Sequence, residues 1–196
     1  LTEVTVKVLP APDKSRTVLV YGLDDGTAMT VMSRALNSQH EVSGAAHLPA
    51  AIAARSAVDL VAKAGGAVTA IRLEGPGPSV EHRCAELRRE FAAHGPGEEL
   101  HTMRSCLLWR EIRDVGSLLP ERERPIWRLS VAPAKGAAAV KEIEAAIALP
   151  PTLSLPLKGG GDFFPIPPSL AGGGRGRGDA TPGLAYFFDW GGGLIW

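Results

Sequence analysis

The chain has 196 residues, of which 45% are hydrophobic and 21% charged, and its 21 basic residues balance its 21 acidic residues. This is the composition of a globular protein, with one domain or one domain and an appendage. The lack of a basic excess argues against a nucleic-acid partner, and no apolar run approaches the roughly 20 residues of a membrane-spanning helix. Cys84 and Cys106 fit no metal-ligand spacing, so we expect reduced thiols in a cytoplasmic protein.

The first quarter of the chain predicts strands on either side of a helix. Residues 3–9 alternate apolar with polar side chains and predict a strand, residues 17–22 predict a second strand, and a turn between them predicts a hairpin. Asp24 or Asp25 then caps a helix. Residues 40–49 give a third strand that Pro49 ends. The predicted apolar stripe of the helix consists of Ala28, Val31, Met32, Ala35 and Leu36.

The next stretch predicts helix, strand and helix. Residues 50–66 are rich in alanine and end in two glycines, which favours a short helix. Residues 67–75 predict a strand, and residues 80–95 predict a helix capped by Ser79. The apolar face of that helix consists of Val80, Cys84, Leu87 and Phe91.

Four further elements precede a change of composition. Residues 98–103 and 124–133 predict strands, while residues 105–115 and 135–149 predict helices. The second of these helices ends at Pro150.

Residues 150–183 are dense in proline and glycine, which predicts a long loop or a disordered insertion. Strand character resumes at 184–190, and a glycine turn follows. The recurring order of strand, helix and strand predicts an α+β fold, with a mostly antiparallel sheet and helices on one face.

Alternation along the strands divides the side chains between the two faces of this sheet. Ile71 and Leu73 share one face, and Arg72 lies on the other. The expected polar side, here called the open face, carries Arg72, Glu74, Arg128, Ser130, Ser43 and Asp189, and the same pattern groups Glu41, Ser43, Ala45 and His47. The open face is either solvated and salt-bridged, or it closes over an active site in another domain. In the second case Arg72 and Arg128 are candidate substrate-binding residues, because arginines can hold a small carboxylate bidentately.

Other chemical motifs are weak. The glycine cluster at 172–178 has no helix pattern after it, so it does not predict a phosphate loop. His47 and His82 lack partners at helical spacing and would make a weak metal site. No nucleophile elbow of the type G-x-S-x-G occurs. We therefore predict no catalytic, cofactor-binding or metal-binding residues in this chain.

Five blocks carry a resemblance to a known family: residues 32–49, 70–91, 108–115, 125–133 and 187–196. In order and spacing they resemble the C-terminal half of the flavin-binding E subunit of bacterial glycolate oxidase, or glycolate dehydrogenase. The resemblance implies a cap domain of ferredoxin-like α+β fold, as in FAD-linked oxidases of the vanillyl-alcohol-oxidase type, that lies over the flavin ring.

The same resemblance implies a function. The intact complex oxidises glycolate, a small 2-hydroxy acid, to glyoxylate. It uses FAD bound by an N-terminal domain, a second flavoprotein subunit and an iron–sulfur subunit. It is cytoplasmic, or peripheral at the inner membrane face through the complex.

The chain departs from the family pattern because the FAD domain and the C-terminal tail are absent and residues 150–183 replace a short connection. We therefore predict a cap-type domain in residues 1–149 and 184–196, inactive by itself. A non-catalytic docking module, degenerate or not, is the alternative. For Arg128 three kinds of partner stay open: Glu74 or Asp189, a substrate carboxylate, or solvent.

Overall fold

The structure is a computed structural model that describes residues 3–6, 8, 11–95, 97–119, 125–148 and 184–196. The predicted insertion at 150–183 lies outside the described residues. The chain divides into one unit of residues 1–137 and 185–196 and a second of residues 138–184. The strands are β1 (Lys14–Tyr21), β2 (Val42–Leu48), β3 (Val68–Gly75), β4 (Gly97–Leu100), β5 (Leu129–Ser130), β6 (Phe188–Asp189) and β7 (Leu194–Ile195). The helices are α1 (Asp25–Leu36), α2 (Ala50–Ala53), α3 (Asp59–Ala62), α4 (Gly77–Phe91), α5 (Thr102–Arg113) and α6 (Gly136–Ala148).

The described strands form one sheet in the order β4-β1-β3-β2-β6-β7-β5, and all paired strands are antiparallel. Elements β1-α1-β2 and β3-α4-β4 interleave as the split β-α-β pairs of a ferredoxin-like fold. Strands β6, β7 and β5 then extend the sheet beyond β2. The predicted α+β class with a mostly antiparallel sheet is confirmed.

The helices begin and bury their faces largely as their sequences predict. Asp24 caps α1 by accepting a hydrogen bond from the Thr27 N–H at 3.0 Å. Four of the five residues of the α1 stripe are buried, but Leu36 is 41% exposed. All four residues of the predicted α4 face are buried. Helix α4 begins at Gly77, so Ser79 lies inside its first turn and does not cap it.

Helices cover both faces of the sheet, whereas the sequence predicted helices on one face. The α1 and α4 helices lie on the side of Ile71 and Leu73, which we call the helix side, as expected. Helix α5 lies on the open face, where Leu108, Trp109 and Ile112 pack in one hydrophobic cluster with Leu19 and Ala70. The sequence interpretation did not predict that α5 covers this face.

Residues 3–9 do not form the predicted strand in their described part. Residues 3–6 and 8 have no strand pairing, and Val4, Val6 and Val8 are 67–78% exposed. The described residues do not form the predicted hairpin with β1, which pairs instead with β3 along its whole length and with β4 over Thr17–Val20.

Three other predicted elements are shorter than expected. Of residues 125–133 only Leu129–Ser130 pair as a strand, and β6 is likewise two residues long. Two four-residue helices, α2 and α3, replace the single helix predicted over 50–66. None of the described helices is long and apolar enough to cross a membrane.

Candidate functional site

The strand register shows which side chains share the open face. Directly opposed residues of neighbouring strands lie on the same side of a sheet. One row of directly opposed residues lies on the helix side and runs through Thr69, His47, Phe188, Ile195 and Leu129. Side chains alternate between the two faces along a strand, so a residue an odd number of positions from this row lies on the open face. This places Arg72, Asp189 and Arg128 on the open face.

Arg72 is held by groups of the protein itself. Its Nε lies 3.3 Å from Glu74 Oε2 and donates to Ser43 Oγ at 3.1 Å, while Nη2 donates to the Ser43 carbonyl at 3.2 Å. Its guanidinium also lies over the Trp109 ring, 4.7 Å from the centroid. A substrate clamp requires an arginine that no local carboxylate pairs, and Arg72 does not meet that requirement.

Trp109 reaches this position because β2 has a glycine beneath it. A Cβ atom at Gly44 would come within 3.1 Å of the indole ring. The indole Nε1 donates to Thr17 Oγ1 at 2.9 Å, and Ser105 Oγ lies 2.8 Å from the same oxygen. The sequence interpretation missed Trp109, although a glycine inside a strand often marks such a close approach.

The surroundings of the Arg128 side chain differ from those of Arg72. Its side chain is exposed, and its guanidinium lies 5.9 Å from the centroid of the Trp196 ring. Glu74, one of its predicted partners, pairs with Arg72 instead. Within the described ranges no carboxylate lies at salt-bridge distance from Arg128. An anion from outside the chain could therefore bind this guanidinium.

Asp189 adds a partly buried carboxylate to the open face. Its Oδ1 accepts a hydrogen bond from the Trp190 N–H at 2.7 Å. Burial raises the pKa of Asp189, and that hydrogen bond and the positive charge of Arg72 offset only part of the rise. The open face thus carries two carboxylates, those of Glu74 and Asp189, beside Arg72.

His47 lies on the helix side, not with the open-face residues. A β-bulge at Ser43 shifts the alternation of β2 by one residue, so Ala45 and His47 turn toward the helices. His47 is fully buried, with Nδ1 at 2.9 Å from Thr69 Oγ1 and Nε2 at 3.2 Å from Asp25 Oδ1. Both ring nitrogens therefore contact protein oxygens.

Asp25 joins this cluster to the end of the chain, which the sequence interpretation also missed. Its Oδ2 accepts a hydrogen bond from the Tyr186 hydroxyl at 2.8 Å. Burial alone would raise the pKa of Asp25, but the hydrogen bonds from His47 and Tyr186 outweigh it, so the pKa is lowered. The only sequence signal for this contact is an aspartate at the start of a helix.

Metal-ligating side chains do not converge in the described part of the chain. No group of three or more His, Cys, Asp or Glu residues there could hold a metal ion. The side chain of His82 is 75% exposed and lies 4.0 Å from Glu86. Cys84 and Cys106 are both free thiols, one buried and one exposed.

No known protein family matches the chain, and no curated protein sequence is significantly similar to it. The residues of the open face and the ordered sequence blocks are therefore the features of this chain that bear on its function.

Proposed function

We propose that the chain is the cap portion of a FAD-dependent oxidoreductase subunit whose cytoplasmic complex oxidises glycolate, or a related small 2-hydroxy acid, to the 2-oxo acid. The ordered sequence blocks support the family. The exposed guanidinium of Arg128 on the open face, which no carboxylate of the described residues pairs, carries the role of the chain. The partners in this proposal are a second flavoprotein subunit and an iron–sulfur subunit.

The two arginines have different roles in this proposal. Arg128 binds the substrate carboxylate, because a guanidinium can hold a carboxylate through two parallel N–H bonds. Arg72 acts as a positioning residue, since Glu74, Ser43 and Trp109 already occupy its side chain. It holds β2, β3 and α5 together at the open face, on which Arg128 also lies.

The described residues do not suit FAD itself. The carboxylates of Glu74 and Asp189 beside Arg72 would repel the pyrophosphate of the cofactor. The glycine cluster at 172–178 lies outside the described residues. In the proposal another part of the protein holds FAD, and this chain contributes carboxylate binding and the exclusion of water.

Replacement of Arg128 tests the proposal in the complete complex. We expect Arg128→Ala to lower kcat/KM for glycolate by about 100-fold, since a charge-assisted hydrogen bond contributes ~1.5–3 kcal/mol and a desolvated one more. The thermal midpoint should change little, because Arg128 is exposed and no described carboxylate pairs with it. Steady-state turnover with glycolate and thermal unfolding measure the two quantities.

Arg104→Ala is the matched control, because Arg104 is also exposed but lies on α5. It should leave turnover and stability unchanged. Normal turnover by the Arg128→Ala complex would exclude the substrate role for this residue.

A non-catalytic docking module is the second candidate function. Trp127 and Trp190 are 64% and 76% exposed, and aromatic residues are enriched at protein interfaces. This candidate predicts that Trp190→Ala weakens capture of the partner subunits while Arg128→Ala leaves glycolate turnover intact.

A further inference from the structure

The sheet consists of two parts that a single backbone bridge joins. Strands β1 and β3 pair over eight residues each, Lys14–Tyr21 and Val68–Gly75. Between β2 and β6 only His47 and Phe188 pair. Beyond this bridge β6, β7 and β5 are two residues long each, and they form the C-terminal strand group.

A side-chain network reinforces that one bridge. His47 contacts Thr69 in β3 and Asp25 in α1, and Asp25 accepts the hydroxyl hydrogen bond of Tyr186. The Tyr186 ring packs edge-on against Phe188 with centroids 5.5 Å apart. Asp25, in the first turn of α1, therefore holds Tyr186 close to the His47–Phe188 pair, where a single bridge joins the two parts of the described sheet.

Apolar packing supplies the other attachment. Phe187, Phe188 and Ile195 are at most 3% exposed. The turn after β6 lies against the same helix, since a Cβ at Gly191 would come within 2.4 Å of Leu36 Cδ1. Helix α1 thus contacts the C-terminal strand group near both of its ends, by a charged hydrogen bond at Asp25 and by packing at Leu36.

We propose that the hydrogen bond from Tyr186 to Asp25 is a latch that holds the C-terminal strand group on the four-stranded core, and that opening of the latch displaces β5 and with it the adjacent Arg128. Proteins open in cooperative parts whose opening free energies lie below that of global unfolding. Strands of two residues do not persist without a supporting sheet, so β5, β6 and β7 open together. The opening itself is independent of the proposed function, but its effect on substrate binding rests on that function.

Hydrogen–deuterium exchange on the purified 196-residue chain tests the latch with Tyr186→Phe. Three backbone bonds report on the C-terminal strand group: Phe187 N–H to Trp196 O and Trp196 N–H to Phe187 O, both 3.1 Å, and Val131 N–H to Gly193 O, 3.0 Å. We expect exchange in peptides over 185–196 and 127–133 to rise about tenfold, because a hydrogen bond to a charged group is lost. Exchange over β1 and β3 should not change.

Tyr21→Phe is the matched control, since it makes the same chemical change elsewhere in the sheet. The Tyr21 hydroxyl donates to the Leu60 carbonyl at 3.3 Å. This variant should leave exchange over 185–196 at the native rate. Asp25→Asn, which keeps the shape of the carboxylate but not its charge, should reproduce the effect of Tyr186→Phe.

Two outcomes would overturn the latch: unchanged exchange over 185–196 in Tyr186→Phe, or an equal rise over every peptide of the chain. Neither bears on glycolate oxidation, because the measurement needs no flavin or substrate. Conversely, a complex that does not oxidise glycolate would remove the proposed function and leave the exchange result intact.

Discussion

Two thiols of the same chain have very different surroundings. Cys84 lies on the buried face of α4, and burial raises the pKa of its thiol to about 12. Cys106 lies exposed on α5. Because the thiolate is the reactive form, burial and the raised pKa both protect Cys84, whereas Cys106 is accessible to reagents.

We therefore expect a thiol reagent such as Ellman's reagent to modify one cysteine of the native chain and both cysteines of the unfolded chain. Peptide mapping should find the native label on Cys106, and Cys106→Ser should abolish it. Rapid labelling of Cys84 in the native chain would show that α4 is not packed as described.

At the residue scale the alternation of strand residues predicted the open face well in β3 and poorly in β2. Arg72 and Glu74 lie opposite Ile71 and Leu73 as expected, because β3 is regular. In β2 the bulge at Ser43 moved His47 to the other side. A bulge depends on the partner strand, and one strand's sequence does not contain that partner.

At the element scale the turn after β6 shows why three glycines follow Trp190. Gly192 has φ +94°, and a Cβ there would lie 2.1 Å from Met29 Sδ and 3.1 Å from the Pro133 carbonyl oxygen. Gly193 has an ordinary negative φ, and its nearest contact would be 3.3 Å away. The turn therefore requires glycine at 192 much more than at 193.

We expect Gly192→Ala to lower the free energy of unfolding by about 2–4 kcal/mol, from the left-handed backbone and from overpacking together. Gly193→Ala is the matched control and should cost less, because its φ is negative and an added Cβ would meet no atom closer than 3.3 Å. Urea unfolding measures both variants. Equal losses would mean that the turn does not pack on α1 as described.

Elements whose sequence signals lie within the element itself were predicted correctly. Elements that form only by pairing with strands far along the chain were not. Helices α1 and α4 follow from apolar stripes within a dozen or so residues, and α1 also follows from its cap at Asp24. The alternation at 3–9 predicts a strand, yet its described residues stay unpaired, and β1 pairs instead with β3 along its whole length and with β4 over Thr17–Val20. Competition for an edge is a property of the whole sheet.

At the scale of the whole molecule the open face predicts how the isolated chain behaves. In the proposed function another part of the protein binds FAD. We expect the purified 196-residue chain to be colourless and to show no glycolate turnover with an added electron acceptor. Absorption spectra after dialysis against FAD provide the measurement. A stoichiometric flavin spectrum after dialysis would refute this expectation.

The division of the sheet at His47 and Phe188 also has a consequence for the order of events during protein synthesis. Strands β1 to β4 with α1 and α4 all lie within residues 14–100, so the ribosome releases the complete four-stranded core before the C-terminal strand group. Residues 188–195, which complete the sheet, emerge much later. Until then the nascent core exposes the outer edge of β2, and an unpaired sheet edge is a template for wrong pairing. Chaperone binding should therefore be strongest in that interval of translation.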